Sequence, residues 1–167
     1  MSHRVIGITG WKNSGKTTLT ERLVAEFVTR GLKVSTIKHA HHAFDIDQPG
    51  TDSFRHREAG AGEVAIVSGN RWALMHELRG ESEPSLDDVL ARLLPCDLVI
   101  VEGYKREGHL KIETRRRDAK DTRPLSADDP NIVAVASDHA LPDENLPVFP
   151  IDDIAAMADF ITSRLGL

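Results

Sequence analysis

The sequence predicts an α/β fold, built as a mostly parallel sheet with helices on both faces. Three short and continuously apolar segments, residues 5–9, 98–101 and 132–136, are typical of strands that are buried on both sides. Stretches with helical apolar periodicity accompany them, as at residues 16–30. This alternation favours a parallel sheet, and a length of 167 residues suits one domain over residues 1–167.

Helices are predicted from apolar positions that recur on one face and from residues that end a helix. The inward face of the first helix comprises Leu19, Leu23, Val24, Phe27 and Val28. A short helix is expected at residues 52–60. Ser85 and Asp88 resemble a capping box, and the apolar stripe that follows them ends at Pro95. The inward face of the last helix comprises Ile154, Met157, Ala158, Ile161 and Leu165. Further strands are expected at residues 33–38, 64–67 and 72–78.

Composition narrows the class of protein. The 21 basic and 26 acidic residues give a net charge of −5, which argues against a general nucleic-acid binder. The single cysteine, Cys96, has no partner for an internal disulfide, and we expect it to fill a small space in the core. No apolar run approaches the ~20 residues of a membrane helix, and the amino-terminal residues resemble no signal peptide. We therefore expect a soluble, cytoplasmic protein with neither nucleic acid nor a membrane as partner.

The most specific motif is a glycine-rich stretch between the first strand and the first helix. It reads Gly10, Trp11, Lys12, Asn13, Ser14, Gly15, Lys16, Thr17 and then Thr18. The glycines let the backbone approach phosphate oxygens, and the amino end of the helix favours an anion. Lys16 is expected to reach the β- and γ-phosphates and Thr17 to bind Mg²⁺. The motif predicts nucleotide binding and a P-loop NTPase-like fold.

Two acidic residues follow buried strands at the sheet edge where open α/β folds bind ligands. Glu102 ends the strand at 98–101, and we expect it to hold Mg²⁺ and to contribute to catalysis. Gly103 next to it would let the backbone approach the γ-phosphate. Asp138 follows the strand at 132–136, and a carboxylate there would select guanine because adenine lacks the matching pair of donors.

Two polar stretches leave their roles open. Residues 39–51 are rich in histidine and aspartate, and Asp45 or Asp47 is a candidate for orienting a water molecule. Arg55 or Arg57 is a candidate for an anionic ligand. The alternative is a solvated polar loop. The basic residues after Glu102 are Lys105, Arg106, Lys111, Arg115, Arg116 and Arg117. They predict either an exposed strand or loop, or a surface for an anionic cofactor or an acidic partner.

Three further stretches accompany the glycine-rich motif: Lys-His-Ala-His-His at 38–42, Asp-Gln-Pro-Gly-Thr-Asp-Ser at 47–53 and Val-Glu-Gly-Tyr-Lys at 101–105. Together these motifs resemble the MobB family of molybdopterin-guanine dinucleotide biosynthesis adaptors. The resemblance implies a GTP-binding homodimer with weak GTPase activity, using Mg²⁺. It also implies a partner, the MobA-type guanylyltransferase that joins GMP to molybdopterin, and basic residues near Lys105 and Arg115 that help to hold molybdopterin itself. Gly10–Thr18, Glu102, Gly103 and Asp47 fall on the motifs of the family.

Two other classes remain open on the residues alone. A small-molecule kinase would use the same phosphate loop together with an arginine-bearing lid, for which the region of Arg115 is available. A metallochaperone GTPase would use histidines as metal ligands. The candidate ligands for that metal are His39, His41, His42 and His56.

Overall fold

The computed structural model describes residues 3–40 and 44–167, and within them six strands form one parallel sheet in the order β2-β5-β1-β6-β7-β8. The strands are β1 Val5–Gly10, β2 Val34–Lys38, β3 Glu63–Val67, β4 Trp72–His76, β5 Leu98–Glu102, β6 Lys111–Arg115, β7 Ile132–Ser137 and β8 Val148–Pro150. The helices are α1 Lys16–Thr29, α2 Asp52–Glu58, α3 Leu86–Leu90 and α4 Ile154–Leu165. The predicted α/β fold with a mostly parallel sheet is confirmed.

The described chain packs as two compact units. One contains the residues up to His39 together with Val89–Leu167, and the other contains Ala40–Asp88. The first unit holds the parallel sheet with α1 and α4, and the second holds α2 and an antiparallel pair, β3 and β4. No helix within residues 3–40 and 44–167 is long and apolar enough to cross a membrane.

The core of the first unit lies between the sheet and the paired helices α1 and α4. Ile6, Ile8 and Ile100 are fully buried on the central strands. α1 contributes Leu19, Leu23 and Phe27, and α4 contributes Met157, Ala158 and Ile161. The inward faces predicted for both helices are therefore largely confirmed. Val28 is the exception, since it is 56% exposed and lies outside the stripe that Leu23 and Phe27 define.

The second unit explains why two predicted strands do not join the parallel sheet. β3 and β4 pair with each other in antiparallel register, with Val64 opposite Met75, and these two side chains are buried. The facing pair Val67 and Trp72 is exposed. A short connection between two strands permits only an antiparallel pair, whereas a parallel pair requires a long crossover.

The helix after Ser85 is shorter than predicted. The capping box is confirmed, because Ser85 N donates to Asp88 Oδ2 at 3.0 Å and Asp88 N donates to Ser85 Oγ at 3.2 Å. The helix nevertheless ends at Leu90 and does not continue to Pro95. The next two turns are closed by bonds between residues three apart, from Arg92 N to Val89 O and from Leu93 N to Leu90 O.

β6 was missed because its sequence is polar, and it corrects the interpretation of the basic cluster. It lies between β1 and β7, with Lys111 and Glu113 fully buried. Lys111 Nζ lies 2.8 Å from Asp129 Oδ2. Arg115 lies 2.7 Å from both Glu113 Oε2 and Glu144 Oε2. Lys111 and Arg115 therefore belong to an interior strand and are neutralised by neighbouring carboxylates, so they form neither an exposed loop nor a docking surface.

Two smaller features also differ from the sequence-based expectations. The edge strand β8 was not predicted, since three residues carry too little pattern to distinguish a strand from a loop. Cys96 is partly exposed and does not fill the core; its Sγ lies 3.8 Å from His3 Nδ1.

His109 sits just before β6 and packs against Gly7 of β1. A side chain on Gly7 would overlap the His109 ring. Neither ring nitrogen has a hydrogen-bond partner within the described residues. Burial lowers the pKa of His109 to about 4; the nearby charge of Lys111 adds to this effect and Asp129 opposes it.

This pKa predicts a specific loss of stability in acid. The ordinary pKa is 6.5 and the folded value is about 4, so the unfolded chain takes up the proton first as the pH falls. The stabilisation is complete above pH 6.5 and is lost toward pH 4. Over that range we expect the unfolding free energy of the native protein to fall by roughly 1–2 kcal/mol more than that of His109→Gln, allowing for solvent around part of the ring. Urea titrations at several pH values measure the difference, and parallel pH profiles would contradict the assignment.

Candidate functional site

The glycine-rich stretch forms a loop, here called the glycine loop, residues 10–17, that joins β1 to α1 as predicted. Gly10, Asn13 and Gly15 have positive φ angles of 152°, 64° and 94°. A Cβ on Gly10 would overlap the hydroxyls of Ser14 and Thr114 and lie 2.8 Å from the Thr114 carbonyl oxygen. Ser14 Oγ and Thr114 Oγ1 are hydrogen-bonded at 2.7 Å. The loop is therefore held tightly against β6, and its first residue has to be glycine.

The loop ends at the amino terminus of α1, where backbone N–H groups point out of the helix. Its N-cap is Gly15, so no side chain within the described residues caps these donors, and the first turn carries no acidic residue. Lys16 Nζ lies above the loop and donates to Gly10 O at 3.2 Å and Trp11 O at 2.7 Å. The positive end of α1 and the Lys16 ammonium thus act on the same space, an arrangement that favours an anion.

Glu102 brings a carboxylate to the same end of the sheet. Thr17 Oγ1 donates to Glu102 Oε1 at 3.0 Å, and Lys38 Nζ lies 3.5 Å from the same oxygen. The Glu102 side chain is 10% exposed. Sequence reasoning chose Thr17 and Glu102 as metal ligands, and the structure does bring their oxygens together. It missed Lys38, whose place opposite Glu102 follows from the pairing of β2 with β5.

The turn after β5 has an unusual backbone. Gly103 has a φ of 97° and Tyr104 one of 48°. A Cβ on Gly103 would lie 3.0 Å from the Cβ of His39, and the rings of His39 and Tyr104 are 4.6 Å apart. A positive φ in a bulky residue is costly, so the surrounding packing holds this turn in place. Lys105 follows directly, and the turn fixes the point from which its side chain extends.

Trp11 connects the glycine loop to two cationic side chains. Lys105 Nζ lies 4.4 Å from the centre of its ring and Arg123 Cζ lies 5.0 Å from it. The indole Nε1 donates to the backbone oxygen of Arg123 at 2.8 Å. The sequence assigned Trp11 to the site only by its place in the motif, and no signal in the sequence indicated Arg123.

Burial and the neighbouring charges shift the pKa of the Lys16 ammonium. Burial lowers the pKa of Lys16, the charges of Lys105 and Lys38 lower it further, and Glu102 opposes them. Lys12 and Thr18, the other predicted loop residues, are exposed. Positive charge is therefore concentrated around Lys16 at the loop end of the sheet, and Glu102 partly compensates it.

Asp138 follows β7 at the same edge of the sheet. Its Oδ1 accepts hydrogen bonds from Arg117 N at 3.0 Å and from His139 Nδ1 at 2.7 Å. The bond from His139 is the main reason that the pKa of Asp138 is lowered. Asp138 lines a cavity of about 430 Å³ whose other walls include Ser137, Phe149 and Ile151. The cavity is thus lined both by apolar side chains and by the Asp138 carboxylate.

The predicted catalytic residue Asp47 lies in the other unit, where it holds local structure. Its Oδ1 accepts from Ser53 Oγ at 2.7 Å and from Thr51 Oγ1 at 3.0 Å. Arg57 lies 3.3 Å from Asp47 Oδ2 and also pairs with Asp45 and Glu77. The hydrogen bonds from Ser53 and Thr51 are the main cause of the lowered pKa of Asp47. A catalytic role for Asp47 stays a prediction, and Arg57 is engaged by three carboxylates.

The histidine-rich loop is described only in part. His41 and His42, named as candidate metal ligands, lie outside the described residues. Within residues 3–40 and 44–167 there is no group of three or more His, Cys, Asp or Glu side chains placed to hold a metal ion.

The parallel sheet and the glycine loop, with Glu102 opposite Thr17, define a protein of the P-loop NTPase-like fold class. Comparison with known proteins narrows the class to a family. The family model of MobB, described as molybdopterin guanine dinucleotide synthesis protein B, matches residues 5–138. The chain belongs to the MobB family.

Individual relatives are similar over nearly their whole length. The chain is 40% identical over 164 residues to the molybdopterin-guanine dinucleotide biosynthesis adapter protein of Haemophilus influenzae, covering 96% of this chain and 89% of that protein. It is 36% identical over 159 residues to the Escherichia coli protein of the same name, covering 94% and 90%. The crystal structure of a MobB homologue from Bacillus stearothermophilus matches with a TM-score of 0.72 at 30% identity, covering 98% of both chains.

The contact between Gly10 and β6 gives a testable prediction about the loop. We expect Gly10→Ala to lower the unfolding free energy by about 3 kcal/mol or more, because it adds an unfavourable φ and an overlap with Thr114. Gly31→Ala is the matched control: its φ is +85° and no described atom lies within 4 Å of the added Cβ. The control should lose only about 1 kcal/mol. Urea denaturation compares the two variants, and equal losses would show that Gly10 is not held against β6.

Proposed function

We propose that this chain is a GTP-binding adapter with weak GTPase activity that assists the guanylyltransferase attaching GMP to molybdopterin. The observation that carries the proposal is the arrangement of Lys16, Thr17 and Glu102 around the glycine loop. The relatives from Haemophilus influenzae and Escherichia coli are named adapters of molybdopterin-guanine dinucleotide biosynthesis, which supports the pathway. A MobA-type enzyme, a second copy of this chain and molybdopterin itself are the partners we propose.

The phosphates would lie on the glycine loop. The uncapped N–H groups at the start of α1 supply hydrogen-bond donors. The Lys16 ammonium can leave the two backbone oxygens that it now binds and donate to phosphate oxygens instead. Charged acceptors form stronger hydrogen bonds than neutral carbonyls do, so this exchange is favourable. The remaining loop residues, from Trp11 to Gly15, shape the cradle together with Thr18 in α1, and Gly103 leaves room beside it.

Thr17 and Glu102 fit a magnesium ion. Their oxygens lie 3.0 Å apart, and hydroxyl and carboxylate oxygens are the ligands that Mg²⁺ takes in nucleotide sites. A bound Mg²⁺ would neutralise charge on the phosphates. Glu102 would hold the ion, directly or through water, and orient Thr17.

The base would occupy the cavity beside Asp138. This cavity lies at the end of β7, and Ile151 in its wall is also next to the glycine loop, since its Cδ1 is 3.2 Å from the position of a Cβ on Gly15. The Asp138 carboxylate would accept hydrogen bonds from the N1 and N2 groups of guanine. Both of its present donors, Arg117 N and His139, bind Oδ1.

The first experiment is calorimetry with GTP and with ATP in the presence of Mg²⁺. We expect the native protein to prefer GTP, and Asp138→Asn to reduce that preference by roughly tenfold because the acceptor pair is lost. Asp143→Asn, at an exposed aspartate outside the cavity, is the control and should bind as the native protein does. A preference for ATP would favour a small-molecule kinase over the adapter.

Two further variants separate the roles of the loop lysine and the acidic residue. Lys16→Ala should weaken GTP binding about 10- to 100-fold while the fold survives, because Lys16 contacts the loop and not the core. Glu102→Gln should raise the Mg²⁺ concentration needed for half-maximal binding and change affinity for metal-free GTP much less. Calorimetry at graded Mg²⁺ concentrations measures both effects. Native GTP affinity in Lys16→Ala would rule out the proposed cradle.

A further inference from the structure

Three lysines from different parts of the first unit come together at the loop end of the sheet, where Glu102 and Asp121 are nearby carboxylates. Lys16 opens α1, Lys38 ends β2 and Lys105 follows the turn after β5. Lys38 Nζ lies 3.5 Å from Glu102 Oε1, and Lys16 is close enough to Glu102, Lys38 and Lys105 for all three to shift its pKa. Like charges repel, and a fold gathers them when a ligand of opposite charge offsets the cost.

Lys38 and Lys105 are held where they are by the backbone around them. Lys38 is opposite Glu102 in the register of β2 and β5, so its position is fixed by sheet pairing. Lys105 is set by the positive φ of Tyr104 and by the Trp11 ring, 4.4 Å from its ammonium. Strand pairing and the turn therefore fix the backbone positions from which these two side chains reach the loop end of the sheet.

The geometry points to different phosphate partners for the three lysines along a bound nucleotide, an inference that rests on the proposed nucleotide binding. We propose that Lys38 and Lys105 form the γ-phosphate half of the site and make it select a nucleoside triphosphate over a diphosphate. Lys16 serves the phosphates common to both. Lys38 now pairs with Glu102, and its ammonium would pair with the terminal phosphate where Glu102 holds a divalent cation.

The charges agree with this assignment. A triphosphate with Mg²⁺ keeps about two negative charges and a diphosphate with Mg²⁺ keeps about one, so a terminal phosphate adds one charge for Lys38 and Lys105 to meet. At about 4 Å in a watery site, one such pair contributes roughly 1 kcal/mol, or about fivefold in affinity. Two ammonium groups give a preference that calorimetry measures easily.

The test compares GTPγS, which resists hydrolysis, with GDP, both with Mg²⁺, by calorimetry on the full chain. Lys38→Gln and Lys105→Gln should each weaken GTPγS binding about five- to tenfold and leave GDP binding within about twofold. The double variant should bind the two nucleotides almost equally. Lys33→Gln is the matched control. This exposed lysine directly precedes β2, at the opposite end of the strand and about 16 Å from Lys38, so its replacement should change neither affinity.

The outcomes separate this inference from the proposed function. Equal losses for both nucleotides, or no loss in either lysine variant, overturn the γ-phosphate assignment while nucleotide binding by the native protein stands. A native protein that binds neither nucleotide overturns both. The Lys38 side chain is 63% exposed, so Lys38→Gln tests the inference by itself even if Lys105→Gln, next to a strained turn, fails to fold.

Discussion

One oxygen atom, Oε1 of Glu102, joins three elements of the first unit. It accepts a hydrogen bond from Thr17 at the start of α1 and lies 3.5 Å from the ammonium of Lys38 at the end of β2, while Glu102 itself ends β5. This meeting depends on the strand order, which places β5 between β2 and β1. Because the carboxylate is nearly buried, its partners have to be supplied by the fold, and they come from the elements that carry the proposed phosphate site.

One strand in the interior of the parallel sheet, β6 next to β1, carries buried charged side chains. β6 carries Lys111 and Glu113 in fully buried positions, and each is paired, with Asp129 and with Arg115. Buried ion pairs add little net stability, but removal of one partner is costly, so such a network fixes the position of its strand. That constraint reaches the glycine loop, because Thr114 on the same strand binds Ser14 and leaves no space for a side chain on Gly10.

The residues of the proposed nucleotide site lie within the part of the chain that the MobB family model matches. The match to the family model covers the glycine loop, Glu102 and Asp138, so the residues that carry the proposed chemistry lie inside the shared region. Trp11 connects two parts of this region, since its backbone oxygen accepts a hydrogen bond from Lys16 and its indole donates to the backbone oxygen of Arg123.

The sequence by itself determined the parallel α/β class, the loop between β1 and α1, the helices α1 and α4 and the placement of Glu102 at a strand end, because local apolar periodicity and glycine spacing encode these directly. Only the tertiary structure decided the rest. The charged residues of β6 predicted an exposed segment, because a lysine is expected at the surface unless its buried ion-pair partner is known. The sequence named Lys105 as part of a basic cluster, but its contact with Trp11 is visible only in the structure. Lys38 and Arg123 reach the candidate site through strand pairing and packing between residues distant in sequence, and no local pattern records such contacts.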